Sequence, residues 1–466
     1  MQIPILNGVF SSQSADLRQS YPVNLMPSVL DSGISAGFLR PAEGIVNFGT
    51  GPGIDRGAFN WNDVCYRIMG TKLVSISNTG VDTILGDVGA GGQVTMHNSF
   101  DRLAINSGTN LYYWNGSTLT QVTDPDLGFV IDMVWVDGYF MTTDGENIVV
   151  TELNDPTAVN PLKYGSSEAD PDPVKRLLKI NNEVYALNRY TIEVFDNIGG
   201  DLFPFHRIEG AQIDKGAIGS RGSEVFVGSI AFLGSSRKEA PAIYLGLSGQ
   251  VAKISSPEID TLLKEYSVTD LEAAVMEVRI DEGRNLLYLH LPDRAIVYDY
   301  ESSKNLGQPV WFYLTSDDDG FSEYQGRNFL WCYDKWLCGD PTSTNHGYLT
   351  DTISDHYGVA VRWEFGTKIF YNEGRDSIVH ELELVALTGR VAIGKDPSIT
   401  TSFSEDGENW STARSIKAGI NGKTKKRLMW LQNGVITNYR MQRFRGNSDS
   451  FLSFIRLEAK IEGLNP

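Results

Sequence analysis

The sequence predicts an all-β chain: a β-propeller of six blades, with seven as the alternative, followed by a C-terminal β-sandwich-like domain. Three observations carry this reading. Apolar-alternating runs meet Gly, Asn and Asp turns between Cys65 and Tyr348, at a spacing of about forty to fifty residues. Tyr, Phe and Trp total fifty residues beside 47 Gly, a composition suited to short strands and tight turns. Beyond residue 355 the alternating runs lengthen with no helical periodicity between them, which points to two packed sheets.

Residues 1–60 are rich in Gly, Pro and Ser. They read as an extended N-terminal segment that packs on the propeller or supplies a strand closing it. Residues 61–350 form the propeller. Its hairpin units begin at Cys65, Leu103, Gly138, Glu183, Ala242 and Asn285, each two strands around a tight turn. A lone hairpin cannot bury its apolar face, so stacked copies must cover one another. The ambiguity in the count lies at 201–260, where the run from Glu224 and the Tyr244 strand fit one blade or two. One helix interrupts the pattern, with Ser256 as N-cap, Pro257 at the first position, and Ile259, Leu262 and Leu263 as an apolar stripe. A second short helix is expected over 269–276. Residues 351–466 form the sandwich-like domain, with long strands over 359–370, 378–386 and 451–459 and a turn at 404–410 leading into Trp410.

At 466 residues the chain exceeds one ordinary core, and 41% hydrophobic residues suffice for real ones. The formal net charge is −18, unevenly placed. Residues 411–460 hold eleven Lys/Arg against two Asp/Glu, a local +9 that leaves −27 on the remainder. An acidic body with a basic C-terminal region suits self-assembly or docking on an acidic partner. Lys423, Lys425, Lys426, Arg427, Arg440, Arg443 and Arg445 are therefore the suspected protein interface. In the run 439–445 arginines alternate with Met441 and Phe444, which reads as one charged strand face.

Chemistry is weakly signalled. Cys65, Cys332 and Cys338 are odd in number and read as small buried hydrophobes. The six histidines are scattered without metal-ligand spacing. The Asp317–Asp319 run lacks the alternating ligands of a calcium loop and reads as a solvated turn. The glycines around 44–53 and 86–92 match no phosphate-binding motif. No catalytic residue, metal site or cofactor is expected. No apolar run approaches eighteen residues, so no membrane-spanning helix is expected. No secretory signal opens the chain, and synthesis in a cytoplasm is expected.

One stretch carries a family resemblance. Residues 275–300 are similar to the packaged-DNA stabilisation proteins of P22-like short-tailed bacteriophages, the tail hub or nozzle family. Residues 21–27, the 258–266 helix, Cys338-Gly-Asp and the 404–410 turn fit the same family, so the resemblance spans nearly the whole chain. The acidic 317–319 loop and the glycines near Gly49 depart from it. The resemblance implies a non-enzymatic virion component. It implies a homo-hexameric ring beneath the portal-adaptor connector that retains packaged DNA and docks tailspikes or tail fibres. It further implies that the ring meets a tail needle or plug and passes double-stranded DNA without reading its sequence. An acidic channel suits that task, because a basic one would bind phosphates and brake the duplex. The alternative is a carbohydrate-binding or hydrolysing propeller of a tailspike or fibre-like protein.

Overall fold

A computed structural model describes residues 2–3, 5, 21–29, 35, 37–167, 170–371, 376–437 and 439–464. The N-terminal expectation for residues 6–20 lies outside the described residues. The structure has two compact units, each assembled from separated stretches of chain. One gathers Asn47–Pro292 and Gln325–Tyr348; the other gathers Met1–Val46, Asp293–Tyr324 and Leu349–Pro466.

The strands of the first unit fall into seven antiparallel ladders in chain order, over 55–87, 95–121, 132–166, 174–207, 216–253, 275–290 and 327–348. The inner strands are Asp55–Trp61, Thr95–Asn98, Asp132–Val136, Val174–Ile180, Ser223–Phe226, Val275–Asp281 and Arg327–Cys332. Each adjoins the next, and the last returns to the first. This is a closed seven-bladed ring, the alternative count of the sequence reading.

The ambiguous 201–260 region gives a single blade, since Ser223–Phe226, Ser229–Ser235, Ala242–Leu247 and Gln250–Lys253 share one sheet. The additional blade is the hairpin Arg327–Cys332 and Lys335–Gly339. Its turn residues, Tyr333 and Asp334, have φ of 56° and 55°. Two positive φ values define the mirror-image turn that suits twisted strands, usually built from Asn or Gly. The Asn62–Asp63 turn of the first blade follows that habit, at 52° and 60°. Tyr333 has another reason to sit there. Its hydroxyl donates to the Ile76 carbonyl (2.7 Å) and accepts from the Cys65 N–H (3.3 Å), tying the seventh blade to the first. Residues 47–50 run along the outer side of the seventh blade, where the Gly51 N–H donates to the Thr344 carbonyl at 2.8 Å.

Apolar side chains from facing blades fill the gaps between them. Tyr185, Ile230 and Phe232 are fully enclosed between the fourth and fifth blades, and Leu103, Ile105 and Ile68 between the first and second. Burying each such side chain contributes about 1.5–3 kcal/mol. Cys65 and Cys332 lie in the core between the seventh and first blades, and Cys338 is also buried; all three are free thiols. The expected helix runs Pro257–Glu265, with the Ser256 side chain accepting from the Ile259 N–H. The second is shorter than expected, Val268–Glu272, because Val275 already begins an inner strand.

The other unit contains a two-sheet sandwich, beside the paired strands Ala295–Asp299 and Trp311–Leu314. Its seven-stranded sheet is built around Ser377–Leu387 and Ser453–Gly463, and its five-stranded sheet around Arg362–Gly366, Ser398–Ser404 and Tyr439–Asn447. Aromatic rings join the two inner faces, Trp363 to Phe454 at 4.8 Å and Trp430 to Phe444 at 5.4 Å. The N-terminal strands Leu25–Ser28 and Phe38–Pro41 extend the larger sheet, Leu39 pairing with Phe454. The N-terminal segment therefore divides: strands at 25–41 belong to the sandwich, while 47–50 run along the propeller. A helix the sequence reading did not anticipate, Tyr300–Leu306, starts at Asp299, whose carboxylate accepts the Ser302 N–H. It ends at Gly307, with φ of 66°.

Candidate functional site: the propeller axis and the basic sandwich strands

The seven inner strands surround an axial cavity of about 550 Å³. Charged side chains bind blade to blade around it. Asp132, at the start of the third inner strand, is fully buried. One of its oxygens accepts from Thr95 of the second blade and meets the Arg221 guanidinium of the fifth blade at 3.0 Å. The other accepts the Leu177 N–H of the fourth blade at 2.9 Å. One carboxylate thus ties four blades.

A second knot holds the ring closed. Asp55 and Arg67 of the first blade form a buried ion pair at 3.0 Å. Arg67 also donates to the Asn328 carbonyl of the seventh blade at 3.0 Å, and the Asn328 amide donates back to Asp55. Burial pushes the Asp55 carboxyl up, and the Arg67 charge draws it down. Glu277 of the sixth blade accepts the N–H groups of Asn328 and Phe329 at 2.8 and 2.9 Å. Arg56 donates to the carbonyls of Gly70, Gly89 and Gly92 and to the Ser107 hydroxyl, at 2.7–2.8 Å.

His97 faces the cavity. Its pKa is held down at about 4 by enclosure, with Asp132 pulling the other way and Arg176, Arg221 and Lys179 adding to the depression. Two carboxylates line the cavity, Glu224 and Glu277, beside Phe59, Trp135 and Phe329. Both are already engaged, Glu224 by Arg176 at 2.9 Å and Glu277 by the two backbone N–H groups.

The remaining sequence candidates separate. His346 meets Asp82 at 2.9 Å, His356 meets the Ser316 hydroxyl at 2.8 Å, and His380 meets Glu462 at 2.7 Å. Among the described residues, no group of three His, Cys, Asp or Glu side chains is arranged to hold a metal ion. Burial pushes the Cys65 thiol up to about 12. The Asp317 carboxylate accepts the N–H groups of Asp319 and Gly320, both at 2.9 Å, which makes that acidic run a turn.

The basic residues of the sandwich do not form one charged face, and this corrects the sequence reading. Strand side chains alternate with period two, so Arg440 and Arg443 project from opposite faces. Arg440 shares the inward face with Phe444. It is buried, donates to the Asn433 carbonyl at 2.6 Å and stacks over Phe403 at 3.8 Å. Burial lowers its pKa to about 10. Arg443 stacks over Trp410 at 3.9 Å; burial lowers it to about 10, with Glu364 opposing and Arg445 and Arg362 reinforcing. Arg445 pairs with Glu364 at 2.5 Å and Arg427 with Glu383 at 2.6 Å. Lys423, Lys425 and Lys426 are exposed, and no carboxylate among the described residues lies within ion-pair distance of them.

Sequence reasoning missed the axial arginines and Asp132. A usable signal was present: single charged residues set in or beside apolar strand runs, such as Arg67 between Tyr66 and Ile68, or Asp132 before Met133. Buried charge in such a run requires a partner.

Two family descriptions match the chain. Residues 1–354 match "Bacteriophage P22 Gp10, beta-propeller", and residues 362–462 match "Bacteriophage P22 Gp10, beta-sandwich". A curated relative, the tail hub protein gp10 of Salmonella phage P22, is 26% identical over 458 residues, 93% of this chain and 94% of that protein. Solved structures give weaker likenesses. The Neurospora crassa Pan2 WD40 domain has a TM-score of 0.41 and 9% identity, covering 66% of this chain and 94% of that one. The N-terminal domain of Nup159 has a TM-score of 0.42 and 8% identity, covering 71% and 98%. Scores this low carry no argument.

Proposed function

The chain belongs to the bacteriophage P22 Gp10 family, and on that premise we propose that it is a structural hub of a short phage tail. The observation that carries this reading is the match to both halves of the family and to a tail hub relative along nearly its full length. In this reading six copies form a ring below the portal-adaptor connector. The ring retains the packaged genome, docks tailspikes or fibres, meets a needle or plug, and encloses part of the ejection channel. In this reading the propeller blades begin at Asp55 and run to about residue 350, the sandwich takes 351–466, and the strands at 25–41 of the N-terminal segment join the sandwich. The chain resides in the virion tail and carries out no catalysis.

Physical chemistry supports the geometric part. The axial cavity of a single propeller holds only about 550 Å³ and is ringed by the Asp132–Arg221 and Asp55–Arg67–Asn328 knots. A duplex therefore has to pass between copies, not through one. The net −27 outside residues 411–460 disfavours phosphate contact and lets DNA slide once released. Among the described residues no helix is long and apolar enough to cross a membrane.

A second reading has one observation behind it. Phe59, Trp135, Phe329, Glu224 and Glu277 line one cavity, and aromatic rings with two carboxylates are what a glycosidase site requires. Against it, both carboxylates are engaged in holding strands. Two experiments separate the readings. Phage lacking this chain should give heads that package DNA and then leak it, with restoration by the wild-type chain. Intact heads without it would end the hub reading. Release of reducing ends from host polysaccharide, abolished by Glu277→Gln, would install the second.

A further inference from the structure

We propose that the loop pair 387–397 and 417–427 of the sandwich unit is a docking knob whose occupant is an acidic face of a second copy of this chain. The two loops are one surface. The Gly422 N–H donates to the Gly389 carbonyl at 3.0 Å and the Ala418 N–H to the Pro397 carbonyl at 2.9 Å, while Lys417 donates to the Asp396 carbonyl at 2.8 Å. Together they carry seven Lys/Arg against one Asp. Arg427 is taken up by Glu383, and Lys395 lies 3.7 Å from Asp449. Arg390, stacked over Phe451 at 4.8 Å, and Lys423, Lys425 and Lys426 have no carboxylate among the described residues within ion-pair distance.

Apolar side chains stand among these cations. Ile393 is 90% exposed, Leu387 57% and Ile420 49%. A surface that only tracks phosphates has no use for them, because DNA backbone offers nothing apolar to bury. An apolar centre ringed by cations fits a protein face with the opposite charge.

The occupant follows from charge. The two loops hold +6 of a chain whose total is −18, so the rest of every copy carries −24. A second copy is therefore a complementary partner at once, and steering between copies needs no other component. This rests on the hub reading, in which copies stand side by side in a ring.

The test uses the full-length chain. Isotopically labelled and unlabelled copies are mixed at low salt and treated with a carbodiimide, which joins a lysine directly to a touching carboxylate. Mixed-label links from Lys423, Lys425 or Lys426 to Asp or Glu are expected. They should fall at least tenfold in the Lys423→Glu, Lys425→Glu, Lys426→Glu variant and at high salt, with the melting curve unchanged because all three side chains are exposed. Absence of mixed-label links from these lysines overturns the proposal. So does their replacement, in the same variant, by a selective loss of duplex-DNA binding measured by anisotropy. Repeating the cross-linking on assembled tails separates the two readings. Links from the knob to a different protein would leave the hub standing and end this inference, whereas absence of the chain from tails would end the hub itself.

Discussion

The propeller and the sandwich use the same cationic residues to opposite ends. In the propeller, Arg56, Arg67 and Arg221 are buried, and each ends on carbonyls or carboxylates of its own or another blade. In the sandwich, Arg440 behaves the same way, but Lys423, Lys425 and Lys426 end in water. The difference shows that a local charge count does not measure available charge. Of the seven residues singled out from sequence, Arg440 is internal, Arg427 and Arg445 are paired, Arg443 is stacked on Trp410, and only the three lysines offer free charge.

The largest effect should come from the propeller axis. Asp132→Ala leaves the Arg221 guanidinium buried without its carboxylate, which costs about 3–5 kcal/mol. Denaturant unfolding followed by Trp fluorescence measures it. The paired change Asp132→Leu with Arg221→Met should recover most of the loss, since removing both charges leaves none stranded. An equal loss in the double variant would show that packing, not charge, holds the four blades there. Next, Arg56→Met strands the carbonyls of Gly70, Gly89 and Gly92. A loss of about 1–3 kcal/mol is expected. A neutral outcome would mean that water replaces the guanidinium and that the inner ring is wetter than its hydrogen bonds imply.

A pH series sharpens the comparison, because both regions hold histidines neutral by burial: His97 and His290 in the propeller, His356 in the sandwich unit. His97 is depressed to about 4 and His356, buried in the sandwich unit, to about 3. Their folded pKa values lie below the unfolded value of about 6.5. The unfolded chain therefore takes up protons first as pH falls. Stability should decline from about pH 6.5 down to about pH 4 for the His97 contribution and to about pH 3 for His356, and it should be flat in these terms above pH 6.5. His97→Gln and His356→Gln should each remove part of that slope. An unchanged slope in both would place the acid sensitivity in His290, which burial also holds neutral, or in the carboxylates. The smallest effect on stability belongs to the lysine loop. Reversing Lys423, Lys425 and Lys426 should leave the unfolding midpoint unchanged and impair tail assembly, giving packed but leaky heads. Normal assembly with altered salt dependence of DNA exit would put these lysines in the channel.

Much of this fold was legible in the residues themselves. The Asn, Asp and Gly turns gave away most hairpins, and Ser256-Pro257 located its helix to the residue. The long runs at 378–386 and 451–459 emerged as the central strands Ser377–Leu387 and Ser453–Gly463. The seventh blade was harder to count because its turn is Tyr333–Asp334, where a tertiary hydrogen bond replaces the usual turn residue. The Asp299 cap was overlooked because the helix it starts has only seven residues. The axial knots escaped because Asp132 and Arg221 lie 89 positions apart, and nothing local to either announces the other. The basic strands misled because Arg440 and Arg443 stand three positions apart and so fall on opposite faces, which their neighbours Met441 and Phe444 disguise.

The central claim, that six copies make a hub ring whose channel lies between them, is tested most directly by native mass measurement and image reconstruction of the assembled tail. Six copies around a pore, with each propeller axis closed and free of DNA, is the expected result. Three or twelve copies, or duplex density running along a propeller axis, would contradict it.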